Sequence, residues 1–425
     1  MLLRFGHASS VASRRCRLEH VTLGQMKKSH RAIIIAGISS VLVAQIVFVA
    51  LLERPNGVRI SFPYENATVP RGIVVTGDAW MKDGIDSIDV ILTRIADGTS
   101  TTVPAERAVV TDRGEPVFAL ATYRAELAAP ADGEYELSTR IRGGDLVMET
   151  KPRRLVVSGP GITEELGFFS LAHLIPLLLV VIVSIALPVA VRRTGSERAK
   201  TTGALVITAM FYIDEIIYQI YWFRIGAWPI TDALMIHMCG IAVLLTPIMF
   251  FTRSERLRQG MFDILYFWGL GGAVQALLTP YVGLHTFPAI KYFAYFISHG
   301  TIVVSVIYIV VVYRMDLSLK SLLRAFAATA IGAIVAYGIN MLMRLIPPYE
   351  PANYWVMGYP PPTGSVVDLF AEWFGPTPRY TIGLAGMAIV LFTLLWLPFP
   401  IRRAVRARRS GDFQAAARSD DQPSG

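Results

Sequence analysis

Two side chains in the apolar half of the chain have the types that covalent nucleophilic catalysis requires. Cys239 lies in TDALMIHMCGIAVLLTPIMFF and His299 lies in AIKYFAYFISHGTIVVSVIYIVVVY. A thiol attacks when a base takes its proton, and imidazole is the usual base. Polar groups inside hydrocarbon are costly unless paired, so each one is a functional candidate. By that criterion His237, Gln275, Asn340, Glu215, Asp214 and His173 join the pair as supporting residues. The other cysteine, Cys16, sits in the N-terminal tail. Two cysteines so placed make neither a disulfide framework nor a thiolate metal site.

Spacing limits which of these groups can meet. Residues two apart on a helix point about 200° away from one another. His237 and Cys239 therefore share a site only if the helix is broken there, and the base must otherwise come from another element, with His299 the best offered. Cys239 is expected roughly 9–10 Å below the outer end of its span and His299 roughly 15 Å below its own. Gln275 (taken as buried mid-span), Asn340 and His173 are expected in the same outer layer, forming a pocket open outward or to the outer leaflet. Asp214 and Glu215 lie mid-span, where a carboxylate costs about 2.5–3.5 kcal/mol to insert. They suit a proton site or the orienting of an imidazole, or a structural interhelical bond, with Tyr218 one turn away as partner. Trp268, Gly271, Gly272, Gln275 and Thr279 fit one helical face. The glycines there fit close helix packing better than a phosphate cradle, which needs a strand-to-helix turn. A lone membrane cysteine also has a plain packing role open to it.

The elements that must position these residues follow from composition. Of 425 residues, 53% are hydrophobic and 17% charged, with a mean hydropathy of +0.48. Such a chain, with recurrent apolar runs of about twenty residues, reads as a polytopic membrane helical bundle, mainly α. Residues 1–31 form a basic tail, 32–52 an uncleaved signal-anchor helix, and Met26 is an alternative start. Seven core spans are expected at about 166–191, 202–223, 233–252, 260–280, 289–313, 322–346 and 380–400. Basic clusters at Arg192–Lys200, Arg253–Arg258, Arg314–Arg324 and Arg402–Arg409 fall on alternate loops. That places both termini in the cytoplasm, in an inner (plasma) membrane, and accounts for the net charge of +8 without nucleic acid. Between anchor and core, residues 55–158 carry short alternating runs such as GIVVTGDAW and SIDVILTRI. These predict an extracytoplasmic all-β sandwich similar to bacterial immunoglobulin-like modules. The aromatic, proline-rich loop 347–378 fits a lid over the outer mouth or a packed structural cap. Residues 401–425 read as a basic tail, disordered towards its end.

The pieces FFSLAHLIPLLLVV, HMCGIAVLL, LYFWGLGGAVQALLTP, FPAIKYFAYFISHG and the later NYWVM…DLF…FGPTPRY, in this order, resemble the YwaF-like bacterial membrane proteins. Those are related to the eukaryotic transmembrane protein 164 group. The likeness covers about 166–400 and leaves out the anchor and the β domain. It implies an acyltransferase that moves fatty acyl chains between glycerophospholipids. By motif, the cysteine of the HxC span (Cys239) is the acyl-carrying nucleophile and the histidine of ISHG (His299) its partner. The methionine at 238, and the long proline-rich stretch before Asp368, depart from the family's pattern.

The expected activity is thus a phospholipid acyltransferase or transacylase, with Glu215 or Asn340 orienting His299, and Gln275 and His237 as oxyanion donors. Membrane phospholipids and lysophospholipids are the expected partners. The chemistry requires no metal and no soluble cofactor. Two other classes fit the same residues: a lipid-binding or lipid-moving protein without covalent chemistry, and an assembly or sensor protein whose β domain binds an envelope partner.

Overall fold

A computed structural model describes residues 56–81, 84–112, 115–224, 234–280, 282, 284–345, 352–359 and 366–407. The expected tail, the signal anchor (32–52) and residues 408–425 lie outside them.

Ten strands fill the first region: β1 (Gly57–Phe62), β2 (Ala67–Val69), β3 (Gly72–Met81), β4 (Ser87–Arg94), β5 (Ser100–Pro104), β6 (Glu106–Asp112), β7 (Glu115–Ala128), β8 (Gly133–Gly143), β9 (Leu146–Glu149) and β10 (Arg153–Val157). One sheet runs β1-β3-β7-β6 and the other β2-β10-β8-β4-β5, with β9 on β8. Pairing is antiparallel except between β10 and β2. Strand side chains alternate between faces, so Ile88, Val90 and Leu92 of β4 all point inward. They meet Ile73, Val75 and Tyr123 of the other sheet in one apolar core. The Tyr123 hydroxyl donates to the Arg59 carbonyl at 3.0 Å and lies 3.0 Å from Thr139 Oγ1, which joins the two sheets through a polar atom.

The second region is helical: α1 (Leu171–Thr194), α2 (Glu197–Arg224), α3 (Met238–Phe251), α4 (Glu255–Trp268), a π-helical turn (Gly269–Ala273), α5 (Val274–Leu278), α6 (Ile290–Val312), α7 (Leu319–Met343), α8 (Val366–Phe374) and α9 (Thr381–Trp396). Among the described residues six apolar helices are long enough to cross a membrane, with α4, the π turn and α5 counted as one and α9 continuing to Ala407. The protein is an integral membrane protein. About half of the residues of the α4–α5 span and of α6 are buried, so these two form the centre. Leu178, Ile185, Ile334 and Ile389 on α1, α7 and α9 are exposed, as lipid-facing residues are.

One expected span is shorter than the sequence suggests. The span placed at 233–252 is helical only over 238–251, roughly 21 Å against a hydrocarbon core of about 30 Å. The reason is local. His237 is extended (ψ 153°), and the turn before it folds back over Gly240, whose added Cβ would meet the Met235 backbone at 2.8 Å.

Part of the loop 347–378 is a packed cap. Asn353 leads into a 3-10 turn, Tyr354–Val356, whose Tyr354 and Trp355 are buried. The Trp355 indole packs into the space left by Gly332 of α7, meets Trp268 edge-on at 5.0 Å, and donates to the Ile236 carbonyl at 2.7 Å. Helix α8, which follows in the same loop, lay hidden in the sequence; its Phe370 fills the space beside Gly383 of α9.

Candidate functional site

Cys239 is the second residue of α3, so it stands in a first turn. The opening N–H groups of a helix have no intrahelical acceptor. His237, the N-cap, offers them no side-chain acceptor either. Because the helix starts at Met238, the 200° argument that separated His237 from Cys239 does not apply: the helix is broken there. It also moves Cys239 from an expected depth of two turns to the very start of its helix.

Gly272, within the π turn, faces the thiol; a Cβ built on it would lie 4.0 Å from Cys239 Sγ. The neighbouring glycines explain why the turn is so glycine-rich. Gly269 abuts Val306 of α6, with 2.7 Å to an added Cβ, and Gly271 abuts Leu391 of α9 at 3.2 Å. A π turn inserts an extra residue and is often found at functional sites. It breaks the single face drawn through Trp268, Gly271, Gly272, Gln275 and Thr279: Trp268 points to Thr329 on α7, donating at 2.9 Å, whereas Gln275 and Thr279 are exposed.

His299 lies in the second third of α6, about 13–14 Å from its first residue. Its Nδ1 is 2.7 Å from the Tyr295 carbonyl, and its ring is tilted against the Tyr295 ring at 4.4 Å. A carbonyl only accepts, so Nδ1 carries the proton and Nε2 carries the lone pair. His237 is within electrostatic reach of His299, and its other face meets the Tyr354 ring at 4.6 Å. Cys239, two residues after His237, borders the π turn. No hydrogen bond joins Cys239 to His299 among the described residues.

The remaining expected site residues go elsewhere. Gln275 is exposed rather than buried, because the π turn rotates it outward. Asn340 is fully buried, but its amide is used on the cap: Oδ1 accepts from Tyr354 N at 2.9 Å and Nδ2 donates to Tyr354 O at 3.0 Å. It does not orient His299; the Tyr295 carbonyl does. His173 is buried and accepts from Phe169 N at Nδ1 (3.2 Å), which leaves Nε2 to donate to the Leu277 carbonyl (2.9 Å). It is a cross-link between α1 and α5. Glu215 accepts from Gln219 one turn along α2 at 2.7 Å, not from Tyr218. No hydrogen bond or ion pair joins Asp214 or Glu215 to a histidine among the described residues.

The sequence reading passed over two groups. Asp263, on α4, is fully buried and accepts from Gln259 (2.8 Å) and from Arg324 of α7 (2.7 Å). The signal was a carboxylate between apolar residues one turn after a glutamine. His285, in the loop before α6, is buried against Trp222 and Phe62. Among the described residues no three or more His, Cys, Asp or Glu side chains gather as a metal site would need.

Comparison with known proteins adds the family. No curated protein matches the chain. An engineered protein of solved structure matches at 14% identity over 25% of this chain and 21% of its own, with a TM-score of 0.18, too low to bear on the fold. The model of the TMEM164 family matches residues 168–396, from just before α1 to the last residue of α9. The chain belongs to the TMEM164 family.

Proposed function

We propose that the protein is a membrane phospholipid acyltransferase or transacylase in which Cys239 carries the acyl group and His299 is its base. The observations that carry this reading are a first-turn thiol facing Gly272 of the π turn and an imidazole whose tautomer leaves Nε2 basic. His299 Nε2 takes the thiol proton, the sulfur bonds the ester carbonyl, and the leaving alkoxide takes the proton back. A lysophospholipid hydroxyl then gives its proton to Nε2, attacks the thioester and releases the thiol. The opening N–H groups of α3 are placed to stabilise the oxyanion, as is His237; Gln275, being exposed, drops out. The Cys239–His299 hydrogen bond forms with substrate in place, since catalytic bonds are often loose without it.

The substrate's headgroup lies on the side of the bundle where the β domain sits. That side is extracytoplasmic in this reading, because the basic clusters all fall at the opposite helix ends. The two-sheet domain is of immunoglobulin-like type. Radiolabelled acyl transfer by purified Cys239→Ser and His299→Ala is the test, with intact-protein mass spectrometry for a hydroxylamine-labile adduct on Cys239. Undiminished turnover in either variant rules the pair out. The lack of a Cys239–His299 hydrogen bond favours a second reading, lipid binding without covalent chemistry. Intact lipid co-purifying with an unmodified Cys239 would decide for it.

A further inference from the structure

Helix α8, VVDLFAEWF, presents three different sides. At about 100° per residue, Val366, Leu369 and Trp373 fall within an arc of about 60°. All three are exposed, Trp373 by 65% and Leu369 by 38%. On one flank of that arc Val367 and Phe370 turn to the protein. Val367 is buried, and the Phe370 ring takes the space that a Gly383 side chain would need. On the other flank stands Glu372, exposed. A short helix lying in water would carry polar residues over all of its outer surface. An apolar outer side rich in tryptophan and leucine, with charge beyond it, is the pattern of a helix at a membrane surface.

The depth of α8 agrees with this pattern. Gly383 is the third residue of α9, about 3 Å along it, and α9 opens an apolar span that continues to Ala407. Phe370 therefore holds α8 against the end turn of a membrane-crossing helix, where hydrocarbon gives way to headgroups. Ile382, on that same turn, is 60% exposed, as Ile389 and Val390 are further along α9. On a membrane span such residues are covered by lipid. The same end of the bundle holds the cap. Thr377, between α8 and α9, donates to the Gly358 carbonyl at 2.7 Å. The buried Tyr380 donates to the Val356 carbonyl at 2.5 Å. Both acceptors flank the turn whose Tyr354 ring meets His237.

We propose that α8 is a membrane-surface helix whose Val366, Leu369 and Trp373 face is covered by phospholipid, and that through Thr377 and Tyr380 it ties the cap to that surface. Lipid is the occupant, rather than a second copy of the chain, because α8 is packed on a turn of α9 that lipid already covers. The indole of Trp373 suits the boundary between hydrocarbon and headgroups. Leu369 and Trp373 hold α8 down in the leaflet, and the two hydrogen bonds pass that restraint to residues 356 and 358. The proposal uses neither Cys239 nor His299 and stands apart from the acyl-transfer reading.

The test uses the full chain in phosphatidylcholine nanodiscs, with Cys16→Ser and Cys239→Ser removing the native thiols. Leu369→Cys, Trp373→Cys and Glu372→Cys, one at a time, carry a nitroxide label. All three positions are exposed, so the packing of Phe370 on Gly383 is kept. Electron paramagnetic resonance reads collisions of the label with oxygen, which concentrates in lipid, and with a water-soluble nickel chelate. The ratio of oxygen to nickel collisions is expected to be several-fold higher at 369 and 373 than at 372. Equal ratios at the three positions mean that water covers the face. An immobilised label that neither reagent reaches means that a protein surface covers it. Either result overturns the proposal. Hydrogen exchange in the same nanodiscs reads the tie to the cap. Leu369→Gln/Trp373→Gln should speed exchange at 352–358 and leave α6 unchanged, whereas Glu372→Gln should alter neither. Unaltered exchange at 352–358 in the double variant overturns the tie.

Discussion

Replacing Asn340 by leucine should loosen the cap over His237 while leaving the bundle intact. Leucine has the branching of asparagine and no hydrogen-bonding atom, and its greater bulk at a fully buried position adds some overpacking to the loss. What is lost is the pair of hydrogen bonds at 2.9 and 3.0 Å that hold the Tyr354 main chain. Each buried main-chain group deprived of its partner costs about 1–3 kcal/mol, and water entering the loosened turn recovers some of it. A net cost of about 2–4 kcal/mol corresponds to a rise of about 30- to 1000-fold in the open population. Strain adds to the effect. Trp355 and Val356 sit at φ 62° and 56°, a left-handed conformation costly for an indole-bearing and a β-branched residue, and opening relieves it. Hydrogen exchange read by mass spectrometry should accelerate at 352–358 and stay unchanged in α4 and α6. In a Cys16→Ser background, alkylation of Cys239 should accelerate with it, because the Tyr354 ring leaves His237 two residues away. If exchange at 352–358 is unaltered, the two hydrogen bonds do not hold the cap and the reasoning fails.

Four other substitutions test separate parts. Gly332→Ala places a Cβ 2.1 Å from the Trp355 ring, so the indole must leave its slot, and exchange at 352–358 should rise as in the Asn340 variant. Gly272→Ala should be tolerated, since its Cβ would sit at contact distance, 4.0 Å, from Cys239 Sγ; Gly272→Leu should fill the space and abolish acyl labelling of Cys239 while leaving the melting temperature within a few degrees. Arg324→Ala takes one of two partners from the fully buried Asp263; as Arg324 is itself 57% exposed, the loss should be about 1–3 kcal/mol, read as a lower melting temperature. Glu149 is held below the usual carboxylate range by the Ser138 hydroxyl and then Arg140. The stability this gives is present above the unfolded-state value and is lost as pH falls through the folded one. Ser138→Ala should therefore move the acid unfolding midpoint of the β domain, followed by near-ultraviolet circular dichroism, to higher pH.

The elements were more legible than the site. Period-two alternation marked the strands between 57 and 157, because one face of each strand is buried and the other is not. Apolar length marked the spans, because hydrocarbon admits little else. What escaped was where helices start and how they rotate. No glycine or proline separates ALMI from the helix it leads into, so nothing in the sequence marks that α3 begins only at Met238. Polar residues in apolar runs, Asn340 and His173 among them, count as candidates because each has to satisfy its hydrogen bonds. Asn340 and His173 satisfy theirs on distant main-chain atoms, at Tyr354 and Leu277. Their partners lie outside their own helices and leave no trace in local spacing. Asp263 went unnoticed for the opposite reason: its partner Arg324 was read as part of a cytoplasmic basic cluster.

The π turn ties these outcomes together. One extra residue rotates everything after it by about 100° about the helix axis. Without it, Gln275 and Thr279 would continue the face that begins at Trp268 and point into the bundle. With it, they face outward, and the residue turned towards Cys239 is Gly272. Glycine is needed on both sides of that point for different reasons. Gly269 and Gly271 let α6 and α9 approach the turn, and that packing holds the irregular backbone in place. Gly272 itself meets nothing nearer than the sulfur, 4.0 Å from its added Cβ. Close packing on two sides and space on the third is the arrangement that the proposed acyl-carrying role of Cys239 would use. GLGG therefore serves helix packing, as its mid-span position suggested, and through that packing it fixes the surroundings of the thiol.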